Sequence, residues 1–227
     1  MSSAISQRMI DLAKSLHERN LIAAADGNIS CRLSDDEILI TPSGLAKSRI
    51  EIQDIAVITL DNRIIKGKPS SERLMHLEVY KKCPQAKAIV HAHPPTAIAW
   101  SLAFPEMKEL PYRSLPEAIL AAGKIPVIPY ARPGTLEMGT NLLNFLPQNR
   151  LMILARHGAL CWGEDLEEAY RGIERVEHVS QILKSARELL LTASSQNSKT
   201  SLELPALPEP ELEELFKLRE KIGPGVF

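Results

Sequence analysis

Residues 86–93, Ala-Lys-Ala-Ile-Val-His91-Ala-His93, read as a buried strand that the Pro94-Pro95 pair stops. Side chains two apart on a strand share a face, so His91 and His93 stand side by side at its end. A second apolar run, residues 150–155, leads straight into His157-Gly158. A lone strand-end histidine is usually a hydrogen-bonded structural residue. A His-x-His pair is different, because two basic rings at contact distance are costly unless something compensates them, and a cation does so. Three neutral imidazoles with one open position form the ligand set of catalytic zinc. His91, His93 and His157 are therefore the candidate metal ligands. His17 and His178 fall within helical patterns and read as surface or core-edge residues.

Composition narrows the class. A chain of 227 residues allows one large α/β domain or two small ones, and 44% hydrophobic with 24% charged residues suffices for a full core. A net charge of −1 gives no electrostatic case for nucleic acid or an anionic membrane, and 4% aromatics provide no stacking platform. No apolar run reaches bilayer length, and Arg8 and Asp11 break any signal-peptide pattern. Cys31, Cys83 and Cys161 are odd in number and widely spaced, as expected of reduced thiols in a cytoplasmic protein.

Apolar spacing predicts a helix over residues 5–20. Turn chemistry then predicts two hairpins, 28–33 with 37–40 and 55–60 with 63–65. A helix over about 71–82 precedes the histidine strand. Helices near 95–102 and 116–122 and a strand over 125–129 follow. Thr135 is placed to cap a helix running to Phe145, and Asp165 to cap a long helix over 166–192. Hairpins first and alternating elements afterwards argue for a mixed, largely antiparallel sheet with helices on both faces, an α/β fold. Residues 1–192 form the expected catalytic domain. Residues 193–227 form a flexible polar linker, then an acidic helix over 209–221.

Three short segments are rich in backbone donors and hydroxyls: Gly27-Asn28-Ile-Ser30, Thr41-Pro-Ser43-Gly44 and Pro69-Ser70-Ser71-Glu72. Small residues in turns let N–H groups converge on one anion, and a helix start favours phosphate. Each alone is ordinary capping or turn chemistry. Beside a metal site they point to a phosphorylated substrate with a chelating oxygen. Neither GxxxxGK[ST] nor GxGxxG occurs, which argues against a nucleotide. Glu72 is either a first-turn carboxylate favoured by the helix dipole or a metal ligand and general base. His76, one turn on, is placed to orient it, or to pack in the core.

Taken in order, Gly27-Asn28-x-Ser30, Thr41-Pro-Ser-Gly44, Gly67-x-Pro-Ser-Ser-Glu72 with His76, His91-x-His93-Pro, Gly134-Thr135 and His157-Gly158 resemble the class II aldolase/adducin family over residues 8–190. The resemblance implies a three-layer α/β/α fold and a homotetramer with active sites at subunit interfaces. It implies one Zn2+ per subunit on His91, His93 and His157, with Glu72 as a fourth ligand that swings away to act as base; imidazole also suits other divalent ions such as iron, nickel or cobalt. Gly27, Asn28, Ser43, Gly44, Ser70 and Ser71 would hold the substrate phosphate. Tyr112, 19 residues beyond His93, would reach a neighbouring subunit and protonate an aldehyde oxygen. The expected reaction is reversible cleavage of a ketose 1-phosphate, of the L-fuculose-1-phosphate kind, into dihydroxyacetone phosphate and a short aldehyde through a metal-stabilised enediolate. Ser-Ser-Glu72 and His-Ala-His-Pro speak against the 4-epimerase branch, and the retained histidines against the adducin branch, a non-catalytic interaction module. A pentulose-phosphate 4-epimerase, a methylthioribulose-phosphate dehydratase and a sugar-acid-phosphate decarboxylase remain the alternatives. Asp26 stands where the family's fuculose-phosphate enzymes carry threonine, and the segment after residue 192 has no counterpart in the resemblance.

Overall fold

The computed structural model describes residues 2–194 and 204–226. Helix α1 (Ser2–Glu18) leads into strands β1 (Asn28–Arg32), β2 (Glu37–Ile40), β3 (Ala56–Thr59) and β4 (Ile64–Lys66). Helix α2 (Arg73–Lys82), the histidine strand β5 (Ala88–Ala92), α3 (Pro95–Ala103) and α4 (Pro116–Ala121) follow. The remainder is β6 (Val127–Ile128), a one-turn α5 (Glu137–Thr140), β7 (Leu151–Leu154), β8 (Gly158–Gly163), α6 (Leu166–Ser194) and α7 (Glu209–Ile222). The strands form one eight-stranded sheet in the order β4-β3-β2-β1-β5-β8-β7-β6, antiparallel throughout except for the β6–β7 pair.

Strand alternation divides the core into two layers. Leu39, Ala88, Val90, Ile153 and Cys161 pack with α1, α3 and α6, whereas Ile38, Ile40, Ile89, Met152, Leu160 and Trp162 pack with α2. The fold is thus the expected mixed, largely antiparallel α/β sandwich in three layers. Its two central strands, β1 and β5, carry Asn28 and His91, and β8 beside them begins just after His157. His91 lies opposite Asn28 of β1 on one side and Leu160 of β8 on the other.

Two expectations change. The sequence predicts no strand after His157, but Gly158–Gly163 forms β8, buried at every position and bounded by glycines. The helix expected from Thr135 to Phe145 is only α5. Thr135 donates its hydroxyl to the Arg132 carbonyl instead of capping, and after Gly139 the bonds shift to i→i+3, as in Leu142 to Gly139 and Phe145 to Leu142. Most of the expected linker, residues 195–203, lies outside the described residues, while α6 keeps 192–194 helical.

The acidic C-terminal helix forms as expected and packs on α4. It buries Leu212 and Leu215 there, and Arg219 donates to the Leu120 carbonyl at 2.7 Å. Beyond it, the Val226 amide donates to Glu168, itself paired with buried Arg150.

Candidate metal centre and anion pocket

The three imidazoles expected from sequence come together. Their ring centroids form a near-equilateral triangle with sides of 4.9, 4.9 and 5.1 Å. His91 Nε2 lies 3.0 Å from His157 Nε2 and 3.3 Å from His93 Nε2. His91 Nδ1 donates to the Ala159 carbonyl at 2.9 Å, so in the neutral ring the Nε2 lone pair faces the centre. Glu72 completes the ring, with Oε1 at 3.1 Å from His157 Nε2 and Oε2 at 3.3 Å from His91 Nε2. Zinc–nitrogen bonds of roughly 2.0–2.1 Å with tetrahedral angles separate ligand nitrogens by about 3.3 Å. Two measured edges fall near that value, and the donors are those zinc prefers, so the residues fit a divalent ion.

Local geometry explains the convergence. His157 sits in the three-residue loop between β7 and β8, where Arg156 adopts φ 61° and its amide is held by Ser101 Oγ at 2.9 Å. Gly158 follows because nothing larger fits. A Cβ there would strike the Ala92 carbonyl and lie 2.8 Å from His91 Cε1 and 3.0 Å from His93 Cδ2. Gly27 combines φ +68° with a Cβ position 2.9 Å from the His91 carbonyl.

The expected anion segments also converge. Residues 42 and 69 form an isolated bridge, and Ser70 N donates to the Thr41 carbonyl. The pocket beside the rings, about 360 Å³, is lined by Gly27, Asn28, Ser43, Gly44, Ser70, Ser71, Glu72, His93 and His157 among others. Glu72 occupies the N-cap position of α2 without capping it, because its carboxylate turns to the rings. Burial alone would raise the Glu72 carboxyl pKa, but the His91 and His157 rings outweigh that and hold it well below the usual range.

Asn28 is committed differently from the expectation. Its side chain donates to Glu72 Oε2 at 2.8 Å and faces His76 Nε2 with its carbonyl oxygen. His76 therefore touches Asn28 and Ser30, so any influence on Glu72 passes through Asn28. Ser30 lies behind the pocket, between His76 and Tyr80. Tyr112 does not line this chain's pocket; it is buried edge-on to Phe216 of α7, with ring centroids 6.5 Å apart. Burial raises its pKa, so it stays protonated.

Sequence reasoning missed Lys47. It is 2% exposed, lines the pocket, and donates to the carbonyls of Ala25 at 2.7 Å and Leu45 at 3.1 Å. Burial lowers its pKa, while Asp26 and Glu72 oppose that. A lysine three residues past a turn glycine resembles any surface cation; only its fold-back under the Gly27 turn sets it apart. Asp26 Oδ2 stands 3.6 Å from His93 Nδ1, a position suited to orienting that ring.

Residues 7–183 match the family described as Class II Aldolase and Adducin N-terminal domain. The chain belongs to this family, and it is an enzyme of the family's lyase type. It is 33% identical over 183 residues to a 3-oxo-tetronate 4-phosphate decarboxylase of Haemophilus influenzae, covering 79% of this chain and 86% of that one. It is 34% identical over 173 residues to an L-fuculose phosphate aldolase of Methanococcus maripaludis, covering 76% and 92%. A solved L-fuculose 1-phosphate aldolase superposes with a TM-score of 0.81 at 29% identity, over 96% of each chain. YgbL of Escherichia coli, described as a putative aldolase/epimerase/decarboxylase, superposes with a TM-score of 0.80 at 26% identity, over 95% of this chain and 99% of its own.

Proposed function

We propose that this chain is a divalent-metal-dependent carbon–carbon lyase that cleaves a phosphorylated keto sugar into dihydroxyacetone phosphate and a short aldehyde. One observation carries the reading: three imidazole Nε2 atoms and a carboxylate meet at the mouth of a pocket lined by Ser43, Ser70 and Ser71. Zinc is the first choice of ion; held by His91, His93 and His157 it would supply Lewis-acid polarisation of the substrate ketone. The serine hydroxyls and the turn amides at Gly27 and Gly44 bind the phosphate. Glu72 carries the proton at the dihydroxyacetone carbon. Lys47 keeps its ammonium on two carbonyls, which suits it to offset phosphate charge and not to form a Schiff base. In a homotetramer, Tyr112 serves a neighbouring subunit's site and protonates the aldehyde oxygen.

The relatives named as decarboxylases favour a second reading. A 3-oxo-tetronate 4-phosphate is a β-keto acid whose loss of carbon dioxide also leaves dihydroxyacetone phosphate. Lys47 is the one Lys or Arg lining the pocket among the described residues, against the carboxylates of Asp26 and Glu72, and a bound divalent ion would offset both, so pocket charge fits either substrate. Purified enzyme incubated with dihydroxyacetone phosphate and small aldehydes should form ketose phosphate, stop on chelation and recover with zinc. Carbon dioxide release from 3-oxo-tetronate 4-phosphate, without condensation, would replace the aldolase by the decarboxylase. Inactivity on both would refute the lyase reading.

A further inference from the structure

An ionised carboxylate only accepts hydrogen bonds, and that fixes the direction of every bond behind Glu72. Asn28 must present its amide NH2 to Glu72 Oε2, since a carbonyl at 2.8 Å would set two acceptors against each other. Its carbonyl oxygen then faces His76, so His76 Nε2 must donate. A neutral ring donating from Nε2 accepts at Nδ1, and Ser30 Oγ, 2.7 Å away, supplies that proton. The serine oxygen is left to accept from the Tyr80 hydroxyl at 2.9 Å. No solvent competes along this line: Ser30 and His76 are 0% exposed, Tyr80 1% and Asn28 3%.

We infer that Tyr80, Ser30, His76 and Asn28 form a one-way relay of donors that fixes the Glu72 carboxylate, with His76 as its central positioning residue. The inference rests on Glu72 being the base of the proposed lyase. Successive donors polarise one another, and a buried network satisfied at every member admits a single arrangement. Oε2 takes the relay and also lies 3.3 Å from His91 Nε2, while Oε1 faces His157, so the relay holds the carboxylate against the rings. His76 does not itself line the pocket and reaches Glu72 only through Asn28.

The direct test is the tautomer of His76 in 15N-histidine-labelled protein at about pH 7, its signals identified by their loss in His76→Gln. The relay requires a protonated Nε2 and a bare Nδ1; an Nδ1–H ring or an imidazolium overturns it, whatever the substrate. The second test uses dihydroxyacetone phosphate turnover. His76→Leu should lower kcat about 10- to 100-fold with KM and bound metal unchanged, and His76→Gln, which retains an N–H donor, should recover most of it. Unchanged kcat in His76→Leu, or no recovery in His76→Gln, overturns the positioning role. Should His76→Leu fail to fold, Ser30→Ala removes the same constraint and should lower kcat severalfold; wild-type kcat there counts against the relay. A wild-type enzyme inactive on both substrate classes defeats the lyase reading instead, and the tautomer still decides the relay's direction.

Discussion

Glu72 sets the demands at the scale of single residues. It stands at a helix start beside three imidazoles, where the helix dipole and any bound cation favour its ionised form. In the proposed lyase such a carboxylate would be a weak base, which suits a ketone polarised by a metal ion. Glu72→Gln should preserve phosphate binding yet lower turnover by about two to four orders of magnitude, the scale of a removed general base. Near-normal kcat in that variant would remove Glu72 from the mechanism. His76 adds a pH dependence. Burial pushes its pKa down from 6.5 to about 3, the effect of His91 adding to this and Glu72 opposing. Between those values the unfolded chain binds a proton that the folded chain does not. Stability is therefore complete above 6.5 and drains as pH falls toward 3, at roughly 1.4 kcal/mol per pH unit. Urea unfolding at about pH 7 and about pH 5 should show this loss in the wild type and a smaller one in His76→Gln. Equal losses in the two proteins would contradict the neutral, buried ring.

At the scale of elements, two connections decide whether the site exists. The β7–β8 loop swings His157 back over β5, and Gly158 lets the backbone pass under the rings. Gly158→Ala should spread His91 and His93 and weaken zinc binding by about tenfold or more, as read by competition with a chelator. Zinc affinity equal to the wild type would mean that the close approach does not set the ligand geometry. The second connection is α7, whose Phe216 covers Tyr112 and whose Leu212 is fully buried on the α4 side. Leu212→Ala should cost about 2–5 kcal/mol in a denaturant titration. A loss under about 0.5 kcal/mol, typical of surface positions, would mean that the helix is not part of the cooperative core.

These elements also show what the sequence makes legible. Helices α1 and α6 were readable from a 3.6-residue period, the two early hairpins from their turn residues, and β5 from a short apolar run that Pro94-Pro95 stops. β8 was not, since Gly-Ala-Leu-Cys-Trp-Gly, likewise buried on both faces, begins and ends on glycine. The extent of α5 was misread because a single threonine before an apolar stretch looks like a cap until its hydroxyl is seen to donate backward. Within the site, the imidazoles and Glu72 were legible from residue type and spacing. The commitment of Asn28 to Glu72 and the burial of Lys47 depend on distant chain segments meeting, and no local pattern encodes either.

For the whole molecule, the sheet order is what matters. Placing β5 between β1 and β8 brings three chain segments, around residues 28, 91 and 157, to one end of the sheet. α2 then lays Glu72 across them from the other layer. Among the described residues no helix is long and apolar enough to cross a membrane, and the three cysteines are buried and free. The proposed chemistry needs a divalent ion held by the three rings. Its most direct test is metal content per chain by elemental analysis, in the wild type and in His157→Ala after the same purification and zinc exposure. The expected result is about one tightly held ion per wild-type chain and almost none in the variant, since a site losing one of three imidazoles loses most of its affinity. Equal metal in the two proteins, or a zinc-exposed wild type that retains none, would contradict it.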